Sequence, residues 1–208
     1  MSLQVNVYPY GPLQENTYLV TDTASGYKAI IDPGFYGSMV IEDIGDISTL
    51  KYIILTHGHF DHLAACVHYT DAYPEAKLIA PLKDRYLLGK DWTKDYLARG
   101  WDVSNCPNPD QYLVEGDTLE LGETLFSFIE TPGHTEGGMC ILADGKLFSG
   151  DTLFRLSVGN TSLETGSWED LVRSINTKLY TLDDDITVYP GHGALTSIGY
   201  EKRSNPFV

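Results

Sequence analysis

The chain has 208 residues, enough for one sizeable core, and 42% of them are apolar. Its 29 acidic residues against 14 basic ones give a net charge of −15, a field that repels phosphate backbones and argues against nucleic acid as a partner. Cys66, Cys106 and Cys140 are odd in number and lack a C-x-x-C pair, no apolar run approaches the ~18 residues of a membrane span, and no signal-peptide pattern opens the chain. These features predict a cytoplasmic protein without a disulfide framework and without a membrane partner.

In chain order, residues 5–10 and 16–21 alternate apolar and polar side chains, as half-buried antiparallel strands do. Residues 22–26 read as a turn, 28–31 as a third strand ending in Asp32-Pro33-Gly34, and 38–44 as a short helix. The β-branched and aromatic run 51–56 predicts a buried strand, and 63–73 a helix. A strand at 77–80 leads into a mostly helical stretch, 82–100, which the Asn- and Pro-rich segment 105–110 breaks.

The second half restarts with short strands at 119–121, 125–130, 139–142 and 146–149, separated by glycines. A Gly/Ser/Thr loop covers about 154–166, and Ser167-Trp168-Glu169-Asp170 reads as a capping box. Trp168, Leu171, Val172, Ile175 and Leu179 then recur at helical spacing. The last strand, 185–189, ends in Pro190-Gly191-His192-Gly193. Each half is a strand meander closed by a helix and a strand. That order predicts an α/β fold of two sheets packed face to face with helices outside, in one domain spanning 1–208.

Metal-ligand residue types gather where the predicted strands end. Thr56-His57-Gly58-His59-Phe60-Asp61-His62 packs four of them as H-x-H-x-D-H on a strand-to-helix turn. His57 and His59 face the same way if extended geometry persists, whereas Asp61 and His62 start the helix and point elsewhere. One turn can therefore feed two adjacent metals, and neutral imidazole with carboxylate suits zinc, iron or manganese. His134, Asp151 and His192 follow three further predicted strands, each beside a glycine that lets the backbone turn tightly.

With H-x-H-x-D-H followed by a spaced His, Asp and His, the sequence resembles the metallo-β-lactamase superfamily, and most of all its short, single-domain glyoxalase II-like hydrolases. The match runs from Asp32 to the tail at 200–207. The resemblance implies a four-layer αββα sandwich with metals at one edge between the sheets. It implies His57, His59 and His134 on one ion, Asp61, His62 and His192 on a second, and Asp151 bridging them. Asp32 would support the ligand turn by fixing a histidine's tautomer. His68 matches nothing in the pattern and is expected to be solvated.

The implied cofactors are two divalent ions, zinc by preference, with iron or manganese possible. The implied activity is hydrolysis of a small-molecule hydroxyacyl thioester to a hydroxy acid and a thiol by a hydroxide bridging the ions, its proton oriented by Asp61. Two ions, two carboxylates and a hydroxide leave the centre with a charge of about +1. A thiol with a pKa of about 8.5 departs as thiolate without a proton, whereas an amine needs a general acid. No acid stands near these motifs, which favours thioesters or lactones over amides.

Two features depart from the glyoxalase II pattern. Its long members carry a C-terminal helical domain whose basic residues grip glutathione, and here the sequence offers no such segment after His192, so glutathione dependence is not expected. Gly159-Asn160-Thr161-Ser162 stands where close relatives show Gly-Arg-Thr-Asp. Arg155, Lys202 and Arg203 are candidates for a substitute cation, or are solvated surface. The competing readings are a persulfide dioxygenase with one iron on His, His and Asp, a lactonase sharing nearly every ligand, and a non-catalytic binding module. The last would be expected to have lost ligands, and all seven are present.

Overall fold

The structure, a computed structural model, describes residues 2–93 and 105–208. Its first sheet holds β1 (Leu3–Tyr10), β2 (Glu15–Asp22), β3 (Lys28–Ile31), β4 (Leu50–Ile54), β5 (Lys77–Pro81) and β6 (Gln111–Leu113), ordered as they occur in the chain. The second holds β7 (Thr118–Leu121), β8 (Thr124–Glu130), β9 (Met139–Ala143) and β10 (Lys146–Gly150). After a small ribbon of β11 (Leu153–Phe154) and β12 (Ser157–Val158), it is completed by β13 (Thr187–Pro190) and β14 (Thr196–Ser197), in the order β14-β13-β10-β9-β8-β7. The α-helices that lie wholly within the described residues are α1 (Ser38–Ile44), α2 (Phe60–Leu63), α3 (Cys66–Ala72), α4 (Arg85–Leu88), α5 (Trp168–Ser174) and α6 (Ile198–Ser204).

Strand periodicity builds the layers, because alternate side chains leave opposite faces of a sheet. Tyr18, Val20, Ala29, Ile31 and Ile54 of the first sheet meet Phe126, Phe128, Met139, Ile141 and Phe148 of the second in one buried cluster. Their neighbours Leu19, Ile30 and Ile53 point the other way, onto Val40 and Ile44 of α1 and Cys66 and Tyr69 of α3. On the far side, Cys140, Leu147 and Val188 receive Leu171, Ile175 and Ile198. The result is the expected αββα sandwich. Both faces of the central strands are therefore apolar, and each fully buried Phe, Ile or Leu contributes about 1.5–3 kcal/mol.

Direction of travel decides where the functional residues lie. β3, β4 and β5 run parallel, and so do β10 and β13, while β8 is two antiparallel steps from β10. Their C-terminal ends therefore emerge together, carrying Asp32, His57, Asp84, His134, Asp151 and His192 to one edge of the sandwich. Hydrogen bonds across the two sheets close that edge: Met139 N–H to the Thr56 carbonyl (3.0 Å), Asn16 N–H to the Gly191 carbonyl (2.8 Å) and the Tyr18 hydroxyl to the Pro190 carbonyl (2.6 Å).

Several elements differ from the sequence expectation. The single helix expected at 63–73 starts earlier and breaks into α2 and α3, because the Ala65 N–H donates to the Pro33 carbonyl at 2.8 Å instead of continuing the helix. Of the helical stretch expected at 82–100, α4 is present, and 94–100 lies outside the described residues. The expected capping box is half formed. Ser167 Oγ accepts the Asp170 N–H at 3.3 Å, but Asp170 pairs with Arg173, and the Ser167 N–H goes to the Gly133 carbonyl. Past Ser174 the helix of α5 widens to a π-helical turn, Ile175–Leu179. The loop expected at 154–166 contains β12 and the end of β11, and β6, β14 and α6 were not foreseen. No helix among the described residues is long and apolar enough to cross a membrane.

Candidate metal centre

The turn after β4 leaves the strand at Leu55 and enters α2 at Phe60, so His57 and His59 lie before the helix and Asp61 and His62 on its first turn. All seven residues singled out in the sequence come together here. One nitrogen each of His57, His59 and His134 lie within 4.8 Å of one another, as do ligand atoms of Asp61, His62 and His192. Asp151 stands between the groups, with Oδ1 3.4 Å from His62 Nε2, and Oδ2 3.3 Å from His134 Nε2 and 3.5 Å from His192 Nε2. His192 Nε2 is also 3.3 Å from Asp61 Oδ2.

The hydrogen bonds behind the rings fix which nitrogen keeps a lone pair. Carboxylates and carbonyls only accept, so His62 Nδ1–H donates to Asp32 Oδ2 (2.9 Å), His134 Nδ1–H to the Asn160 carbonyl (2.7 Å) and His192 Nδ1–H to the Leu13 carbonyl (3.0 Å). The Thr56 hydroxyl gives its proton to Asp32 Oδ2 at 2.7 Å and accepts His57 Nδ1–H at 3.0 Å. In these four rings Nδ1 carries the donated proton, which leaves Nε2 as the nitrogen free to ligate, and those of His62, His134 and His192 face Asp151. His57 Nε2, His62 Nε2 and Asp151 Oδ1 are buried without a hydrogen-bond partner. His59 Nδ1 faces His134 Nε2 at 2.8 Å. Donor-atom separations of 2.8 Å (His59 Nδ1 to His134 Nε2) to 3.9 Å (His62 Nε2 to Asp61 Oδ2) bracket the edge, about 3.3 Å, of a tetrahedral shell with nitrogen–metal bonds of about 2.0 Å. The donor set fits two cations.

Two glycines let the backbone approach this closely. Gly133 has φ +148°, and a Cβ there would lie 2.3 Å from Leu171 Cα, so only glycine lets α5 dock on the His134 turn. At Gly191 a Cβ would meet Asp151 Oδ1 at 2.3 Å and His62 Cε1 at 2.7 Å.

The titration states follow from burial and neighbours. Burial, and then the surrounding imidazoles, push His57 well below the usual histidine range and His59 down to about 4. Burial alone would also lower His62, but Asp151, Asp32 and Asp61 outweigh it and raise the ring well above its usual value. Asp151 is the reverse: burial pushes it up, yet His62, His134 and His192 hold it below the usual carboxylate range.

A family model described as the metallo-beta-lactamase superfamily matches residues 10–192. The chain belongs to the metallo-beta-lactamase superfamily. It is 34% identical to hydroxyacylglutathione hydrolase GloC of Haemophilus influenzae, over 99% of this chain and 98% of that protein. Among solved structures it is similar to the BLEG-1 B3 metallo-beta-lactamase, with a TM-score of 0.88, 31% identity and coverage of 98% of this chain and 99% of that one. It is also similar to TTHA1623 in a di-iron-bound form, with a TM-score of 0.85, 33% identity and coverage of 98% and 100%. Superfamily membership and the paired His/Asp groups agree on a metallohydrolase with divalent ions.

Around this superfamily centre the structure adds residues that the sequence reading passed over. Asp84 is buried, and its oxygens accept the Gly58 N–H (2.7 Å), the Thr135 hydroxyl (2.8 Å) and the Gly137 N–H (2.7 Å), tying the His57–His59 turn to the His134 turn. It stands three residues past β5, shortly beyond a strand end as Asp32, His57, His134, Asp151 and His192 do, and that signal could have found it. Glu15, buried at the start of β2, has Oε1 3.9 Å from His62 Nδ1, and burial raises its carboxyl well above the usual range. No motif marks it.

Asp32 takes the supporting place expected of it, since its two oxygens already accept from Thr56 N, Thr56 Oγ1 and His62 Nδ1. His68 is not a solvated ring: it is half-buried and stacked on Tyr36, with centroids 5.3 Å apart. Asn160, at the expected arginine position, turns its side chain to the Ser162 N–H and hydroxyl and offers only its backbone carbonyl to His134. Lys202 and Arg203 both pair with Asp184, at 2.7 and 3.4 Å, and Arg155 lies over the Tyr200 ring. None of the three lines the cleft above the centre.

Proposed function

We propose that this chain is a binuclear metallohydrolase that cleaves a 2-hydroxyacyl thioester, such as a lactoyl thioester, into an acid and a free thiol. His57, His59 and His134 would hold one ion and Asp61, His62 and His192 the other, with Asp151 shared. Nitrogen and carboxylate donors suit zinc or iron. The observation that carries the reading is the convergence of seven ligand side chains, with buried, unpartnered donor atoms on His57, His62 and Asp151, beside an open cleft of about 630 Å³ that His59, Asp61, His134, Asp151 and His192 line. The similarity to a protein named hydroxyacylglutathione hydrolase supports the acyl thioester.

Bound divalent ions supply Lewis acidity, polarising a carbonyl and lowering the pKa of water. The chain's own residues do the rest. Asp61 accepts a hydrogen of the attacking water and keeps its oxygen facing the acyl carbon. Phe60, Trp92 and Phe154 wall the cleft and limit water around the acyl group. The water oxygen adds to the acyl carbon, the C–S bond breaks, sulfur leaves with the electron pair as thiolate, and the released proton passes to solvent. Beyond the seven, the titratable groups lining the cleft among the described residues are Lys90 and Glu164, bound to each other. A leaving group that needs no proton fits such a cleft better than an amine.

The test is steady-state kinetics on metal-replete protein with lactoyl thioesters of glutathione and of a small thiol, beside a lactone and a glutathione persulfide. We expect turnover of both thioesters, with a high KM but substantial kcat for glutathione, because Arg155, Lys202 and Arg203 stay out of the cleft and a cationic grip on the thiol part would be uniform binding. Lactone opening alone, or oxygen uptake with the persulfide, would move the assignment.

A further inference from the structure

One charged pair sits at the cleft and takes no part in the centre. Lys90 Nζ donates to Glu164 Oε2 at 2.5 Å and lies 4.5 Å above the Trp92 ring, while the Tyr86 hydroxyl donates to Glu164 Oε1 at 2.8 Å. Lys90 follows α4 and Glu164 lies on the loop after β12, so the pair joins two chain segments lining the cleft. Lys90 is the one cationic side chain lining the cleft among the described residues, and the rest of its rim is mostly apolar, with Leu13, Phe154, Val158 and Leu163. A carboxylate arriving on a substrate meets the Glu164 charge and finds the lysine already taken. An uncharged group meets apolar wall and loses nothing.

Resting on the thioester reading above, we propose that Glu164 is a specificity-determining residue: by holding Lys90 it turns the cleft away from thiol parts that carry a carboxylate and toward uncharged ones. The substrate class is then an acyl thioester of an uncharged thiol. Glu164→Gln is the informative variant, because its amide oxygen can still accept from Tyr86 while the charge is gone. It lies outside the centre, at an exposed position.

The experiment compares lactoyl thioesters of 3-mercaptopropionate and of 3-mercaptopropionamide, which match in size and shape while only the first is charged. In the wild type the KM of the acid should exceed that of the amide. Glu164→Gln should lower the KM of the acid about three- to fivefold, the scale of a half-exposed ion pair, and leave the KM of the amide and both kcat values unchanged. Adding Lys90→Gln should remove the gain. A variant that shifts both substrates equally, or neither, would overturn the proposal. Dissociation constants of the corresponding non-hydrolysable thioethers, measured by calorimetry on metal-replete protein, read the selection without turnover. If neither thioester is cleaved but the thioethers show the charge-dependent shift, the thioester reading fails and the selection by Glu164 stands. If the thioesters are cleaved and Kd ignores charge, the reverse holds.

Discussion

Replacing Asp32 with Asn keeps the size of a buried side chain and removes one of its acceptors. In the structure Oδ1 accepts the Thr56 N–H at 2.7 Å, and Oδ2 accepts both the Thr56 hydroxyl at 2.7 Å and His62 Nδ1–H at 2.9 Å. If the amide oxygen keeps the Thr56 N–H, its NH2 faces His62 Nδ1. That nitrogen can then stay close only as an acceptor, with the proton moved to Nε2, where it covers the lone pair facing Asp151. If the amide flips, the Thr56 N–H is buried without an acceptor, at about 1–3 kcal/mol. Losing the partner that orients a ligating histidine typically costs 10–100-fold in metal affinity, about 1.4–2.7 kcal/mol. His57 is linked to Asp32 only through the Thr56 hydroxyl, so its ion should weaken far less. A stepwise chelator-competition titration separates the two ions. Asp32→Asn should weaken one step 10–100-fold and the other less than about threefold. Equal weakening of both steps, or none with the far-UV spectrum unchanged, would refute the reasoning.

Metal uptake should release protons. Asp151, Asp32 and Asp61 raise His62 above its usual value, and a ligating ring must be neutral, so an ion at His62 competes with a proton. Calorimetry in buffers of different ionisation enthalpy should show about one proton or more leaving per chain, and proton-silent binding would contradict the assignment of His62. Gly133→Ala places a methyl against the α5 backbone at a φ only glycine adopts readily, and should cost about 3 kcal/mol or more in thermal or urea unfolding. A neutral result would mean that α5 docks differently. Asp84→Ala leaves two N–H groups and a hydroxyl without their acceptor between two ligand turns. It should lower stability by about 3 kcal/mol and weaken the ion at His57, His59 and His134 more than the other, as the same chelator titration would show.

The layered fold was readable because its strands are short, separated by glycines, and apolar on one or both faces. The site was readable because ligand side chains follow strand ends, and parallel strands bring those ends to one edge. What escaped the sequence depends on contacts between distant segments. The break between α2 and α3 comes from the Pro33 carbonyl taking the Ala65 N–H, which no helical periodicity reports. β14 is two residues long and exists only by pairing with β13, and β6 only by lying beside β5. Asp84 and Glu15 look like surface acids in the sequence and become buried supports once the sheets close. The basic residues considered for a substrate grip, Arg155, Lys202 and Arg203, are drawn instead to Tyr200 and Asp184, while Lys90, which no motif marks, faces the cleft.

The central claim is that seven side chains form one two-cation centre in which Asp151 is shared. Metal content per chain, measured by elemental analysis after saturation with zinc and desalting, tests it directly on the wild type and Asp151→Ala together. Two ions are expected in the wild type. In the variant fewer than two are expected, with a wild-type far-UV spectrum, since without the shared carboxylate the ions would repel one another and the one on Asp61, His62 and His192 would leave first. One ion in the wild type, or two retained in Asp151→Ala, would contradict the claim.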